Sequence, residues 1–171
     1  DIQDARNLAK AYIKGDIQEF IWVPSDLYAD YRDIHFAHRD TVKEMTRTSN
    51  RIWSICSRKG YDLPIRSGAT KGDSIRKMVE HLKISGFIKE RLEMLVADYE
   101  FLLGRKEKLE KFMAEAIIEN DKMIALMQLP GFYYHAAFVI TAIVEDAKRF
   151  SSAAKLTAYA GLSPMVNTSG E

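Results

Sequence analysis

Two carboxylates near one end of the sequence and a hydroxyl near the other are residue types suited to metal binding and nucleophilic chemistry. Asp1 and Asp4 lie three residues apart in a segment with helical character, so both carboxylates lie on one helix face. A close acidic pair can bind a hard cation through its oxygens, but acids at a helix start are also favoured by the helix dipole alone. Near the other end, Thr168-Ser169-Gly170 is predicted as a loop from which a hydroxyl can reach a substrate.

A turn followed by a helix is predicted after residue 128. Leu129-Pro130-Gly131 leads into a helical run, and the backbone N–H groups at such a helix start can meet a phosphate. Pro-Gly before a helix is more often only a turn. Tyr133 could stack on a base or pack inside the domain. Gly131 and Tyr133 are therefore candidate nucleic-acid contacts, with a structural role as the alternative.

A basic stripe is predicted along one face of a long helix. Its residues recur every four positions, with one more a heptad earlier: Arg32, Arg39, Lys43, Arg47 and Arg51. Paired with Asp40 and Glu44, such a stripe can be only a solvated helix face. Arginine also suits phosphate, because its planar donors bond two oxygens at once. The stripe is therefore a candidate nucleic-acid interface.

Two long helices must carry these side chains. Both have apolar positions that alternate in steps of four and three, the pattern of a coiled-coil seam. The first seam comprises positions 27, 31, 34, 38, 41, 45, 48, 52 and 55, and the second comprises 88, 92, 95, 99, 102, 106, 109, 113 and 116. At 1.5 Å per residue the first helix is about 50 Å long. The seams predict an antiparallel pair, or half of an intermolecular bundle, in which Lys106 is a polar position that can fix register.

The chain divides into three predicted parts and is predicted to be all-α. Residues 1–24 hold a helix that ends at Gly15 and an apolar connector, 25–122 hold the helical hairpin, and 123–171 hold a small helical domain. Asn120-Asp121 is predicted to break the second long helix. The four histidines, His35, His38, His81 and His135, lack the spacing of a zinc site and are predicted to be ordinary helix residues.

Composition limits the possible partners, disulfides and cellular location of the protein. A net charge of +1 gives no global sign of a polyanion partner. Cys56 is the single cysteine, which excludes an internal disulfide and fits a reducing cytoplasm. No apolar run approaches the roughly 20 residues of a membrane span, and no signal peptide opens the chain. We expect no membrane association and a cytoplasmic location.

Three blocks near the end resemble, in order and spacing, the C-terminal domain of the insertion-sequence family 110 (116/902-type) transposases. In that family a helix-hairpin-helix-like IPGIG is followed by RF and by AGLxP…SG. The corresponding blocks here are Leu129-Pro130-Gly131-Phe132-Tyr133, Arg149-Phe150 and Ala160-Gly161-Leu162-Ser163-Pro164 with Ser169-Gly170. Tyr133 replaces the second glycine of the first block, which puts a tight hairpin–phosphate contact in doubt.

The resemblance implies a catalytic arrangement. Asp1 to Ala9 resembles the DxxDARxLA end of the family's RuvC-like domain, in which four acids bind magnesium. Asp1 and Asp4 would be the last two of these ligands, and the strands bearing the other two are missing from this chain. Ser169 matches the family's nucleophile, which forms a covalent phosphoserine link to DNA; Thr168 and Ser163 are weaker candidates. The family's coiled coil binds a structured guide RNA and mediates self-association, so DNA, a guide RNA and a homo-oligomer are expected.

The sequence therefore predicts an all-α fragment of an RNA-guided DNA transposase or recombinase, with a long helical hairpin and a small helix-hairpin-helix-like domain. The alternative is a non-catalytic helical module that binds nucleic acid and dimerises. A coiled-coil adaptor for protein partners is a third class.

Overall fold

Helices make up the architecture throughout the part of the chain that the computed structural model describes, residues 2–16, 22–61 and 72–160. The elements are α1 (Ile2–Lys14), α2 (Asp26–Arg58), α3 (Gly72–Glu80), α4 (Phe87–Ile118), α5 (Asp121–Met127), α6 (Tyr134–Val144), a 3-10 turn (Ala147–Arg149) and α7 (Ala153–Tyr159). These ranges contain no β-strand, and the predicted all-α class is confirmed.

The two long helices, α2 and α4, form an antiparallel hairpin. Ile52 near the end of α2 packs in one cluster with Leu92 near the start of α4. Tyr31 near the start of α2 packs with Met113 near the end of α4. The seam in α2 is confirmed at its buried positions, which are Tyr31, His38, Thr41, Met45, Thr48, Ile52 and Ile55. Leu27 was expected in the seam but is exposed, because it lies in the first turn of α2, before Tyr31, the first buried residue of the seam. The seam joins two helices of one chain.

Two apolar cores lie at opposite ends of the hairpin. The distal core joins the end of α2, the start of α4 and the buried Ile75 and Val79 of α3. The basal core joins the start of α2, the end of α4 and the small C-terminal helices through Met123 and Phe138. Cys56 lies in the distal core, where burial raises the pKa of its thiol. The basal core fixes α5 and α6 against the hairpin.

Local signals set the boundaries of the C-terminal helices. The side-chain oxygen of Asn120 accepts hydrogen bonds from the backbone N–H groups of Lys122 and Met123, at 3.1 and 3.3 Å. This N-cap explains the predicted break between α4 and α5. Gly131 has φ +86°, and the Phe132 N–H donates to the Leu129 carbonyl at 3.1 Å. The predicted turn before a helix is confirmed, and it needs glycine for its positive φ.

Helix α1 has no buried residue, and its apolar side chains Leu8, Tyr12 and Ile13 are exposed. None of the helices in the described ranges has both the length and the apolar character to cross a bilayer.

Candidate nucleic-acid interface

The residues predicted to cut DNA are only partly described. Asp1, Ser163, Thr168 and Ser169 lie outside the described residues. Asp4 lies exposed in the first turn of α1. Within the described ranges, no three His, Cys, Asp or Glu side chains are grouped so that they could hold a metal ion. One carboxylate does not fit a magnesium site, so further ligands would have to come from elsewhere.

Three members of the predicted basic stripe pair with acids on their own helix. The Arg39 Nε lies 3.3 Å from the Asp40 Oδ1, and the Lys43 Nζ lies 4.0 Å from the same oxygen. Arg47 pairs with Glu44. All three basic side chains are exposed, and exposed pairs contribute about 1 kcal/mol or less. These cations remain accessible to a phosphate, but binding a phosphate would break their ion pairs with Asp40 and Glu44.

Arg32 differs from the rest of the stripe because its guanidinium is used inside the fold. It donates from Nε to the Ala142 carbonyl at 2.9 Å and from a terminal nitrogen to the Ile143 carbonyl at 2.7 Å. These carbonyls lie in the last turn of α6, where a helix leaves acceptors without intrahelical partners. Arg32 therefore ties α2 to α6, and a nucleic-acid role for it stays a prediction.

Arg149, of the Arg149-Phe150 block, supports the same helix end. It donates to the Val144 carbonyl at 3.1 Å, and its guanidinium lies 4.2 Å from the Trp22 ring centre. The Tyr159 ring of α7 is 4.6 Å from the same guanidinium. Cation–π contacts of this kind are worth about 0.5–2 kcal/mol. Arg149 therefore fixes α7, which directly precedes residues 161–171, against the end of α6.

A groove with three arginines lies between α2 and α4. Its volume is about 310 Å³. Its lining residues are Asn50, Arg51, Ser54, Ile55, Arg58 and Arg91, with no acid among them. In the described part of the chain, none of the three guanidinium groups makes an ion pair. Arginines without acidic partners around a polar groove are well suited to phosphate oxygens. We call these residues the arginine groove.

The sequence predicted one member of the arginine groove and missed two. Arg51 lies on the predicted stripe. Arg58 lies on the same α2 face, seven residues after Arg51, so the heptad spacing of the stripe continues to it. Arg91 comes from the opposite helix, so no spacing in the sequence indicates it.

The turn before α6 leaves one aromatic ring exposed. Tyr133 is the N-cap residue of α6, and 78% of its surface is accessible. The ring is open for stacking, whereas packing inside the domain was the alternative. Gly131 holds the turn through its positive φ. Both residues remain candidate nucleic-acid contacts.

Comparison with family models adds an independent observation. Residues 123–171 match the model of the transposase IS116/IS110/IS902 family. These residues, which we call the transposase segment, are similar to this family. Comparison with curated proteins and with solved structures gave no match. The transposase segment begins at Met123 within α5, includes α6, the 3-10 turn and α7, and continues through Ser169; the arginine groove lies before it.

A histidine cluster joins the transposase segment to the hairpin. The ring of His135 on α6 lies 5.0 Å from that of His38 and 6.3 Å from that of His35, both on α2. His38 Nε2 lies 3.4 Å from Glu110 on α4, and Glu110 also accepts from Lys106 at 2.9 Å. The Nδ1 of His35 and the Nε2 of His135 are buried without a hydrogen-bond partner. The interpretation of these three as ordinary helix residues missed the cluster, because it forms across about 100 residues of chain.

The cluster disfavours protonation of two of its members. Burial lowers the pKa of His35, and the neighbouring His135, Arg39 and His38 lower it further. Burial also lowers the pKa of His135; His38 and Lys106 act in the same direction, and Glu110 opposes them. The unfolded chain therefore binds more protons than the folded chain below the ordinary histidine pKa of 6.5. Stability from these groups is present above that pH and is lost as pH falls through the lowered folded pKa values.

We predict that acidification loosens this junction. From about pH 7.5 to about pH 5.5, Tm measured by circular dichroism should fall by a few degrees in the wild-type chain. The fall should be smaller in a variant with His35→Gln and His135→Gln. His81→Gln, a change at an exposed histidine just after α3, should keep the full fall. Equal falls in the double variant and the wild type would contradict the assignment.

Proposed function

We propose that this chain is part of a DNA transposase or recombinase that binds a structured guide RNA on its hairpin and cuts DNA through Ser169. The family match supports a transposase role. The observation that carries the nucleic-acid role is the arginine groove, where Arg51, Arg58 and Arg91 converge without an acid. DNA, the guide RNA and a second copy of the chain are its proposed partners.

The geometry of the arginine groove favours a phosphate backbone over a single small anion. Arg51 and Arg58 are two turns apart on α2, which places them about 10 Å from each other along the helix. Arg91 adds a third cation from α4. A backbone presents several phosphates along such a line, and each neutralised phosphate releases counterions. Binding should therefore weaken steeply as salt is added, with about one unit of log–log slope for each phosphate contact.

The test reverses two charges of the arginine groove. Arg51→Glu with Arg58→Glu should weaken RNA binding at least tenfold at about 0.1 M salt, and should reduce the salt slope by about two. Affinity is measured by fluorescence anisotropy on a labelled structured RNA at several salt concentrations. Circular dichroism should be unchanged, because both arginines are exposed.

A second double variant tests whether the groove itself, and not the net charge of the chain, determines RNA affinity. Arg39→Glu with Arg47→Glu makes the same charge change on the same helix, at arginines already paired with Asp40 and Glu44. This variant should lose less affinity than the groove variant. Equal losses would mean that total charge, not the groove, decides binding. A wild-type chain without salt-sensitive affinity for RNA would refute the nucleic-acid role and favour a protein adaptor.

The cutting step is proposed from the family match and from the position of Ser169 within it. A serine hydroxyl is a weak nucleophile at neutral pH and needs activation. Magnesium, when bound beside the scissile phosphate, would stabilise charge on the attacking and leaving oxygens. Asp4 alone does not fit such a site, so Asp1 and Asp4 would act only with acids supplied from elsewhere. If such acids are lacking, the arginine groove still supports the alternative, a non-catalytic nucleic-acid-binding module.

A further inference from the structure

The coiled-coil seam cannot also serve as the contact between two chains. The seam side chains of α2 and α4, such as Ile52 and Leu92, are buried against each other within one chain. A second copy could use this surface only if the hairpin opened, which would expose both cores. Self-association therefore needs another face.

The outer face of α4 carries a second apolar line. Phe87, Met94, Phe101 and Phe112 are 72%, 63%, 73% and 42% exposed. They are separated by seven, seven and eleven residues, which are two, two and three helical turns, so they share one face over about 38 Å. An exposed apolar surface of this length is typical of an interaction site. We call these four residues the outer stripe.

Two opposite charges flank the centre of the outer stripe. Asp98 precedes Phe101 by three residues and Arg105 follows it by four, and both are exposed on the same side of α4. Within the described ranges neither makes an ion pair. They are about 10 Å apart along the helix, too far to pair with each other. Both are available to an oppositely charged surface.

This charge pattern is complementary to itself in one orientation. When two α4 helices lie antiparallel about a two-fold axis beside Phe101, each Asp98 faces the other copy's Arg105, which gives two equivalent pairs. In a parallel arrangement Asp98 would face Asp98 and Arg105 would face Arg105, and both contacts would be repulsive. We propose that two copies of this chain associate through their outer stripes, antiparallel, with Phe101 at the axis. This inference rests on the proposed self-association.

Charge exchange tests the orientation. Asp98→Arg alone and Arg105→Asp alone each turn two attractive pairs into two repulsive ones, so each should weaken dimerisation about tenfold. Mixing the two single variants should restore association, because every facing pair is then opposite in sign. The double variant, Asp98→Arg with Arg105→Asp, should dimerise as the wild type does. The measurement is sedimentation equilibrium on the 171-residue chain at about 0.1 M salt.

Apolar substitutions test the surface itself. Phe101→Ser should convert the dimer to monomer, whereas Ile118→Ser, at an exposed residue on another face of α4, should leave it unchanged. RNA affinity of Phe101→Ser, measured on the same sample, should stay within about twofold of the wild type, so loss of the dimer is distinguished from loss of nucleic-acid binding. A wild-type chain that stays monomeric at about 100 µM overturns the proposal. Dimerisation unaffected by Phe101→Ser, or by both single charge reversals, also overturns it.

Discussion

Replacing Phe138 with alanine should destabilise the basal core by about 3–5 kcal/mol, because it leaves a cavity under a fully buried ring. Phe138 is 0% exposed, and its ring centre lies 5.4 Å from that of Tyr31 on α2. Met113 of α4 and Met123 of α5 belong to the same cluster. One side chain thus joins four helices, so its loss should free α6 from the hairpin. The measurement is a urea unfolding curve followed by circular dichroism.

A control on the same helix separates cavity formation from helix propensity. Ile140→Ala also shortens an apolar side chain of α6, but Ile140 is exposed, so its cost should stay below about 1 kcal/mol. Limited proteolysis should cut Phe138→Ala faster than wild type between α5 and α7. If Phe138→Ala lowered the free energy of unfolding by less than about 1 kcal/mol, it would contradict the inference that Phe138 holds α6 against the hairpin.

Patterns within a single helix predicted much of the fold. The four-three alternation located the buried positions of α2, because each seam residue is one turn from the next and faces the same partner. Asn120 and Gly131 marked element boundaries through their own chemistry, as an N-cap and as a residue with positive φ. Such signals are local, and the sequence shows them directly.

Contacts between distant segments could not be predicted in this way. Arg91 reaches the arginine groove only because α4 returns antiparallel to α2 at one particular register. His135 meets His38 only because α6 docks at the base of the hairpin. Arg32 was assigned to an open basic face because its spacing matches the stripe, yet its donors reach the end of α6. Periodicity gives the face of a residue but not what the rest of the chain places against that face.

The end of α6 contacts both the hairpin, through Arg32, and the 3-10 turn that precedes α7, through Arg149. Arg32 from α2 and Arg149 from the 3-10 turn both donate to the Ile143 carbonyl, at 2.7 and 3.4 Å. Trp22 lies beside both guanidinium groups, with ring-centre distances of 5.2 Å to Arg32 and 4.2 Å to Arg149. Helix α7, which directly precedes residues 161–171, is therefore fixed to the hairpin through the end of α6.

Replacing Ser169 with alanine should abolish covalent protein–DNA adducts and leave nucleic-acid affinity within about twofold of the wild type. The change removes the oxygen that would form the phosphoserine bond, and it leaves Arg51, Arg58 and Arg91 in place. The residue lies inside the matched transposase segment. Adducts are measured with end-labelled DNA on denaturing gels, in protein that also supplies the remaining acids and with Mg²⁺ present.

The neighbouring hydroxyls provide the control that decides the assignment. Ser163→Ala and Thr168→Ala remove the same type of oxygen from the same transposase segment, so each should retain adduct formation if Ser169 is the nucleophile. Adducts that persist in Ser169→Ala and disappear in one of these variants would move the nucleophile to that residue. If all three variants and the wild type bind nucleic acid with equal salt dependence and none forms an adduct, the chain acts as a binding module, because affinity is intact while the covalent step is missing.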